Sequence, residues 1–291
     1  MNVLKTYKIY IGGQFPRTES GRSYLLKDAN GNPIANVCQS SKKDIRNAVQ
    51  AARKAFGSWS ERSAFNRGQI LYRIAEMLEG RKTQFIEELT LQGQGLVSAK
   101  HEIELCIDRI VYYAGWCDKY TQLYSTVNPV SGSFFNFSLP EPTGVVAVFA
   151  PQQSSLLGLV TQIASIIAGG NTCVVLAAEQ LALCAVTFAE VLATSDVPGG
   201  VVNILTGNQN ELLTQFAAHK DVNAILYCGE ASDMITKIQD LAIENLKRVV
   251  VREDGDYFDD KFESPYLIYD FQETKTTWHP IEVIAGAGAG Y

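Results

Sequence analysis

Histidine is scarce in this 291-residue chain: His101, His219 and His279 are the only three. The six cysteines (Cys38, Cys106, Cys117, Cys173, Cys184 and Cys228) form no Cys-x-x-Cys pair and no Cys/His cluster. Zinc needs clustered thiolate and imidazole ligands at short fixed spacings, so no metal site is expected. Scattered cysteines, three of them within apolar runs, read instead as free buried thiols in a reducing compartment. A net positive charge is also lacking. The net charge is −6 with no Lys/Arg stripe, which leaves no electrostatic footprint for nucleic acid. The longest apolar stretch, Leu156 to Ala168, is interrupted by Thr161, Gln162 and Ser165 and is too short to span a bilayer. Residues Met1 to Ile11 carry no apolar core followed by a small-residue cleavage site, so no secretory signal is read and the expected location is cytoplasmic. What remains, 46% hydrophobic and 19% charged residues, is ordinary for a globular chain long enough to bury a core.

Two rhythms divide the chain. From Lys8 to Ile34, alternating apolar and polar residues punctuated by Gly-Gly, Ser-Gly and Asn-Gly-Asn-Pro predict short strands and hairpin turns. Ser41 then opens a helix with Asp44 in its first turn and Ile45, Val49, Ala52 and Phe56 at helical spacing. Further helices are predicted over Phe65–Glu79, Lys82–Leu91 and Ala99–Tyr120, the block packing as a bundle. From Gly144 onward, strands (Val145–Phe149, Thr172–Leu176, Val201–Leu205, Ala224–Tyr227, Arg248–Val251) alternate with helices (Ser155–Ala168, Leu183–Thr194, Glu211–Ala218, Ala231–Asn245). Short Val/Ile/Leu strands each followed by a helix predict an α/β fold, a doubly wound, Rossmann-like parallel sheet of about five strands. Glu253–Glu263 reads as a solvated acidic loop lacking the calcium-loop pattern. Phe134–Ser138 and Leu267–Trp278 read as strands, and Ala285–Tyr291 as a flexible small-residue tail. The expected organisation is strands and helices over 1–130 packing on the sheet domain, a first flap segment over 131–142, the Rossmann-like domain over 143–255, and a loop, closing strand and tail over 256–291.

Many short motifs stand in register with one family. "YIGGQFPRTESGR", "AVQAARKAFGSWS" with "RGQILYRIAEML", "EPTGVVAVFAP", "AGGNTCVVLAAEQ", "VPGGVVNILTG", "HKDVNAILYCG" and "KRVVVREDG" together resemble the cofactor-domain half of the aldehyde dehydrogenase superfamily, from Tyr10 to about Gly255. "YDFQETKTTWHPI", Tyr269 to Ile281, is similar to the strand that closes full-length members after their catalytic domain. Here it follows the sheet domain after only about fifteen residues, so the resemblance implies an internally excised chain without a catalytic domain. The arrangement is most like the catalytically empty second module of family 16 aldehyde dehydrogenases.

Departures from the family pattern bear on chemistry. Gln153 stands where the oxyanion-hole Asn of "PWN" is expected, a position where charge develops in acyl transfer. Leu176 replaces the ribose-binding Lys of "VVxKP(S/A)EQ", although Glu179 of that motif remains. "TGxGxxxG" keeps only Gly207, with Leu213 at its last glycine, and "FTGS" has become Tyr227-Cys228-Gly229-Glu230. Arg252 takes the place of the general-base Glu, and nothing resembles the nucleophile motif "FxNxGQxC". A dinucleotide pyrophosphate favours helix N-termini, and Glu230 brings like charge there. Two unit charges ~4 Å apart repel by about 4 kcal/mol at an effective dielectric of 20, roughly three decades of affinity. Glu230 capping its own helix is the plainer alternative. Cys228, at a strand end, reads as an isosteric relic rather than a nucleophile.

The resemblance therefore implies no catalytic residues and a vestigial cofactor site of Glu179, Gly207 and Gly229, with NAD or NADP bound weakly if at all. In the family the segments matching Ser131–Leu139 and Tyr269–Ile281 form a β-flap that docks on a neighbouring subunit. The expectation is an inactive partner or oligomerisation subunit, docking through that flap on a full-length aldehyde dehydrogenase or on itself, without nucleic-acid or membrane partners. The alternatives are a self-associating module retaining weak nucleotide affinity, and NAD(P)-dependent aldehyde oxidation by the chain alone or in a complex.

Overall fold

The computed structural model describes residues 3–28 and 30–281. The chain opens with β1 (Thr6–Tyr7), β2 (Ser23–Lys27) and β3 (Pro33–Cys38), forming a small sheet in the order β1-β3-β2. α1 (Lys42–Ser60) begins at Ser41, whose capping box with Asp44 satisfies donors that the first turn cannot pair internally. α2 (Ala64–Glu79), α3 (Lys82–Leu91), α4 (Leu96–Trp116) and α5 (Tyr120–Tyr124) follow. β4 (Thr126–Asn128) and β5 (Phe134–Pro142) lead into the alternating half. It runs β6 (Val145–Phe149), α6 (Leu157–Ala168), β7 (Thr172–Leu176), α7 (Leu183–Ala193), β8 (Val202–Leu205), α8 (Gln209–Ala218), β9 (Ala224–Cys228), α9 (Ser232–Ala242) and β10 (Arg248–Arg252). α10 (Tyr266–Tyr269) and β11 (Gln272–Pro280) complete the described chain.

The five-stranded sheet is parallel, in the order β10-β9-β6-β7-β8, so the chain winds outward from β6 in one direction and then in the other. Successive strand residues point to opposite faces, and the two faces bury two different cores. Val146, Val148, Cys173, Val175, Ile204 and Leu226 pack with residues of α2, α3, α4, α6 and α7. Val145, Ala147, Phe149, Val174, Leu176 and Tyr227 pack with α1, α8 and α9. Continuous burial of β6, β7, β8 and β9 explains why these strands are apolar runs rather than alternating ones. Gly144, at φ +133°, turns the chain into β6. A Cβ there would clash with Asn223 Oδ1, which accepts a hydrogen bond from Val145 N–H.

Several expectations need correction. α1 does not join α2–α4 in one bundle: its Ile45, Ala48, Val49 and Ala52 pack on the other face of the sheet. Trp59 at its far end reaches the α6 side, its indole N–H donating to Ile167 O at 3.1 Å. The fourth helix ends at Trp116 rather than Tyr120, α5 resuming after a turn. The strand predicted from Leu267 starts only at Gln272, because Tyr266–Tyr269 form a helical turn whose Ile268 faces the α6 core. β5 runs on through Pro140 to Pro142, pairing without a bulge over nine residues with β11.

The acidic segment Glu253–Glu263 is only partly solvated. Tyr257 and Phe262 are buried and stacked, centroids 4.2 Å apart. The buried Arg109 guanidinium donates to Phe262 O at 2.8 Å, Thr161 Oγ1 at 3.0 Å and Glu263 Oε2 at 3.0 Å. A buried cation so saturated holds the segment against α4 and α6. The tail Ala285–Tyr291 lies outside the described residues.

β11, β5 and β4 make a separate antiparallel flap. Val127, Phe135, Phe137 and Leu139 share one face by register and alternation. Val127 is 68% exposed, Phe135 47% and Trp278, on the opposite face, 58%.

Candidate functional site

In an open parallel sheet, loops and helix starts converge at the carboxyl ends of the strands, where winding reverses. The positions singled out in the sequence lie there, apart from Leu213 within α8. Gln153 follows β6, Leu176 ends β7, Glu179 follows it, Gly207 follows β8, Gly229 and Glu230 follow β9, and Arg252 ends β10. Only some are brought into contact.

Glu179 is tied into the loops around it. Its Oε2 accepts from Asn208 Nδ2 at 3.0 Å, its N–H donates to Gln152 Oε1 at 3.1 Å, and its carbonyl accepts from Tyr24 Oη at 2.9 Å. Gly207, at φ +145°, would place a Cβ 3.1 Å from Ser40 N, so a bare backbone is needed for close approach to the chain leaving β3. Gly229 N–H donates to Arg252 O at 2.9 Å. Leu176 is a fully buried core residue, as is Leu213. Glu230 is exposed and does not cap its helix, since Ala231 is the N-cap of α9 and no side chain bonds there.

Arg252 is committed elsewhere. Its guanidinium donates to Gln162 Oε1 on α6 and to Asp270 Oδ2 at 2.6 Å, next to the start of β11. Arg248, at the other end of the same strand, donates to Asp270 O at 3.0 Å, bonds Gln272 O, and pairs with Glu273 at 3.0 Å. Two arginines of β10 thus hold the returning chain. Cys228 does not offer a nucleophile: it is buried, and burial pushes its thiol up to about 12, although Arg252 nearby opposes the rise. Cys117 is likewise pushed up to about 12 by burial, and all six cysteines are free and buried.

Sequence reading missed Asp254 and Glu102. Asp254 Oδ2 accepts from Gln152 N–H at 2.7 Å and Gln153 N–H at 3.2 Å, in the loop that follows β6. Burial raises its carboxyl above the ordinary range, against those two hydrogen bonds, and Glu230 adds to the rise. Glu102 on α4 accepts from Leu156 N–H at 3.2 Å and Leu157 N–H at 2.8 Å, capping α6, while Gln94 Nε2 donates to its other oxygen at 2.7 Å. A signal for Glu102 existed. It lies with Arg109 inside the apolar stripe Ala99, Ile103, Cys106, Ile110 and Tyr113, where an unpartnered charge would be costly. Between these carboxylates lies a cavity of about 580 Å³, its wall including Gln94, Glu102, Gln153, Asp254, Tyr257 and Phe258.

A pyrophosphate would need unpaired N–H groups and positive potential at a helix start. The residues here do not fit that need. α6 is capped by Glu102, α8 is capped by Asn208 with Glu211 in its first turn, and α9 carries Asp233 in its first turn with Glu230 just before it. Among the described residues no cluster of three or more His, Cys, Asp or Glu could hold a metal ion, and no helix is long and apolar enough to cross a membrane.

Comparison with known proteins identifies the family and the fold. The family model "Aldehyde dehydrogenase family" matches residues 17–256. Omega-crystallin of Enteroctopus dofleini is 33% identical over 251 residues, covering 84% of this chain and 50% of the crystallin. Human mitochondrial 10-formyltetrahydrofolate dehydrogenase is 30% identical over 273 residues, 91% of this chain and 28% of that protein. Among solved structures, an aldehyde dehydrogenase from Bacillus cereus in complex with NAD+ superposes with a TM-score of 0.80 at 26% identity, covering 85% of this chain and 51% of that one. The chain therefore spans about half or less of the length of these relatives. With its five-stranded Rossmann-like sheet and a family match over most of its length, the chain belongs to the aldehyde dehydrogenase family.

Proposed function

We propose that this chain is a catalytically inactive aldehyde dehydrogenase homologue that serves as a partner or oligomerisation subunit for a complete aldehyde dehydrogenase, docking through its β-flap. One observation carries the reading: the strand ends are spent on internal contacts, while an intact flap faces outward. Arg252, at the position matching the family's general base, is bound to Gln162 and Asp270. The thiols are buried, and a buried neutral thiol is a poor nucleophile. By contrast, among the described residues β11 pairs with β5 alone along its length. Its outer edge and the exposed Val127, Phe135 and Trp278 are available to another chain.

Size-exclusion chromatography with light scattering, with and without a complete aldehyde dehydrogenase, tests this. A co-eluting complex is expected, lost when Phe135 and Trp278 are replaced by Ser. A stable monomer that ignores the longer enzyme would end the proposal. The second reading, residual nucleotide affinity through Glu179, Gly207 and Gly229, draws on the place of these residues after the carboxyl ends of the parallel strands. Calorimetry with NAD and NADP decides it; saturable heat would favour that reading, as would NADH formation from an aldehyde by the pure chain.

A further inference from the structure

The loop between β6 and α6 turns two consecutive N–H groups, those of Gln152 and Gln153, toward one oxygen of Asp254, at 2.7 and 3.2 Å. Paired backbone donors of this kind bind anions, and charge-assisted bonds to a carboxylate are stronger than neutral ones. The other oxygen, Asp254 Oδ1, is buried and has no hydrogen-bond partner. A carboxylate with one oxygen well held and the other desolvated is an occupant under tension, since an unpaired buried acceptor costs free energy. Gln153 and Asp254 both line the cavity of about 580 Å³, which has room for a small molecule beside them.

From this juxtaposition of an N–H pair, an internal carboxylate and an adjoining cavity, we propose that Asp254 is a built-in competitor. It occupies an anion-binding amide pair, and the cavity takes up a small external carboxylate only when the Asp254 charge is removed. The contact is autoinhibitory and independent of the flap. Its logic is steric as well as electrostatic. Two anions cannot share one amide pair, and Glu102 and Asp256 in the same wall add repulsion, with no Lys, Arg or His in the lining to offset it.

The test uses the whole chain and acetate as the probe, following the Gln152 and Gln153 amide resonances. In the native protein at neutral pH they are expected not to move with acetate. In Asp254→Ala they are expected to shift saturably, with acetate bound about tenfold or more tighter than by the native chain. Asp254→Asn keeps the shape and loses the charge, and is expected to fall between. Equal acetate shifts in the native protein and Asp254→Ala would overturn the proposal, as would no saturable shift in either variant. A measurement on the unaltered chain guards against a variant that fails to fold. The two amides are expected to titrate with the same midpoint as the Asp254 carboxyl carbon. Tyr227, Cys228, Glu230 and Tyr257 are the titratable groups electrostatically coupled to Asp254, and Glu102 and Asp256 share its cavity. Amides that ignore the Asp254 titration would refute the contact itself.

Discussion

Arg252→Glu restores the residue type that the family motif carries at this position, and it is expected to destabilise the chain without creating a dehydrogenase. The Arg252 side chain is 9% exposed and bridges Gln162 Oε1 to Asp270 Oδ2, with its guanidinium 5.6 Å from the Phe271 ring. Asp270 is 37% exposed, so water recovers part of its solvation once the arginine is gone. Removing the two charge-assisted bonds by Arg252→Gln is therefore expected to cost about 2–3 kcal/mol rather than their full sum. Glutamate adds like-charge repulsion against Asp270, at most about 4 kcal/mol at an effective dielectric of 20 and less after side-chain relaxation. The total for Arg252→Glu comes to about 4–5 kcal/mol, against about 2–4 °C of melting temperature per kcal/mol for a domain near this size. Thermal melts of the native chain, both single variants and the charge-swapped Arg252→Glu/Asp270→Arg pair measure the coupling. The swap should recover about 1–3 kcal/mol if the ion pair is the cause. Hydrogen exchange along β11 should accelerate in Arg252→Glu, because the strand begins two residues after Asp270. Native-like melting of Arg252→Glu, or a swap no better than the single change, would refute this account of the clamp. Aldehyde oxidation by Arg252→Glu would refute the expectation that the substitution creates no dehydrogenase.

Three further outcomes are expected. No cysteine should react with an aromatic disulfide reagent in the folded chain on the timescale at which all six react in denaturant; a fast-reacting thiol in native protein would contradict their burial. The raised Asp254 carboxyl makes the folded state hold its proton more tightly than the unfolded state does. Its contribution is thus fully present below the ordinary carboxyl range and is lost as pH rises through the raised value, and urea titrations at stepped acidic pH should show that slope disappearing in Asp254→Asn. A slope unchanged by the substitution would assign it to another group. Trp59→Ala removes a fully buried indole and leaves Ile167 O without its donor, and should cost about 3–5 kcal/mol by chemical denaturation. A loss under about 1 kcal/mol would mean that α1 is not packed as described.

The fold is readable from the sequence where one physical signal dominates. β6 and β7 emerge to the residue, because strands buried on both faces leave uninterrupted apolar runs with turn residues at their ends. Capping makes the start of α1 equally plain through Ser41 and Asp44. Local pattern misleads where long-range contacts override it. Tyr266–Tyr269 has strand-like composition but turns as a helix, since that places Ile268 in the α6 core and leaves Asp270 facing Arg252. Pro140 and Pro142 suggest a break, yet both sit within β5, and at Pro140 the lost N–H is tolerated because β4 does not extend far enough to pair with it. At the candidate site the substitutions are visible in the sequence, but their contacts are not. A carboxylate in an acidic run reads as solvated, and only the chain's return past β10 shows that Asp254 turns inward to the Gln152 and Gln153 amides while Asp256, Asp259 and Asp260 stay exposed.

The two arginines of β10 tie the edge of the parallel sheet to the segment that leads into β11. β10 is an edge strand, half-buried where β9 is fully buried, and an uncovered edge beside exposed apolar residues invites aggregation. Arg248 and Arg252 fall two strand periods apart and so point to the same face, where each grips the chain segment that leads into β11. A glutamate at 252 would be repelled by Asp270, so the residue that the family motif carries there is incompatible with the contact that Arg252 makes in this chain. If the Arg252 clamp sets the position of the flap, weakening it should impair docking before it unfolds the sheet. Arg252→Gln, held below its melting transition, should then lose association with a complete aldehyde dehydrogenase while keeping its far-ultraviolet circular dichroism. Unchanged association with a demonstrably loosened β11 would separate the clamp from the interface, and docking would have to be sought on another surface.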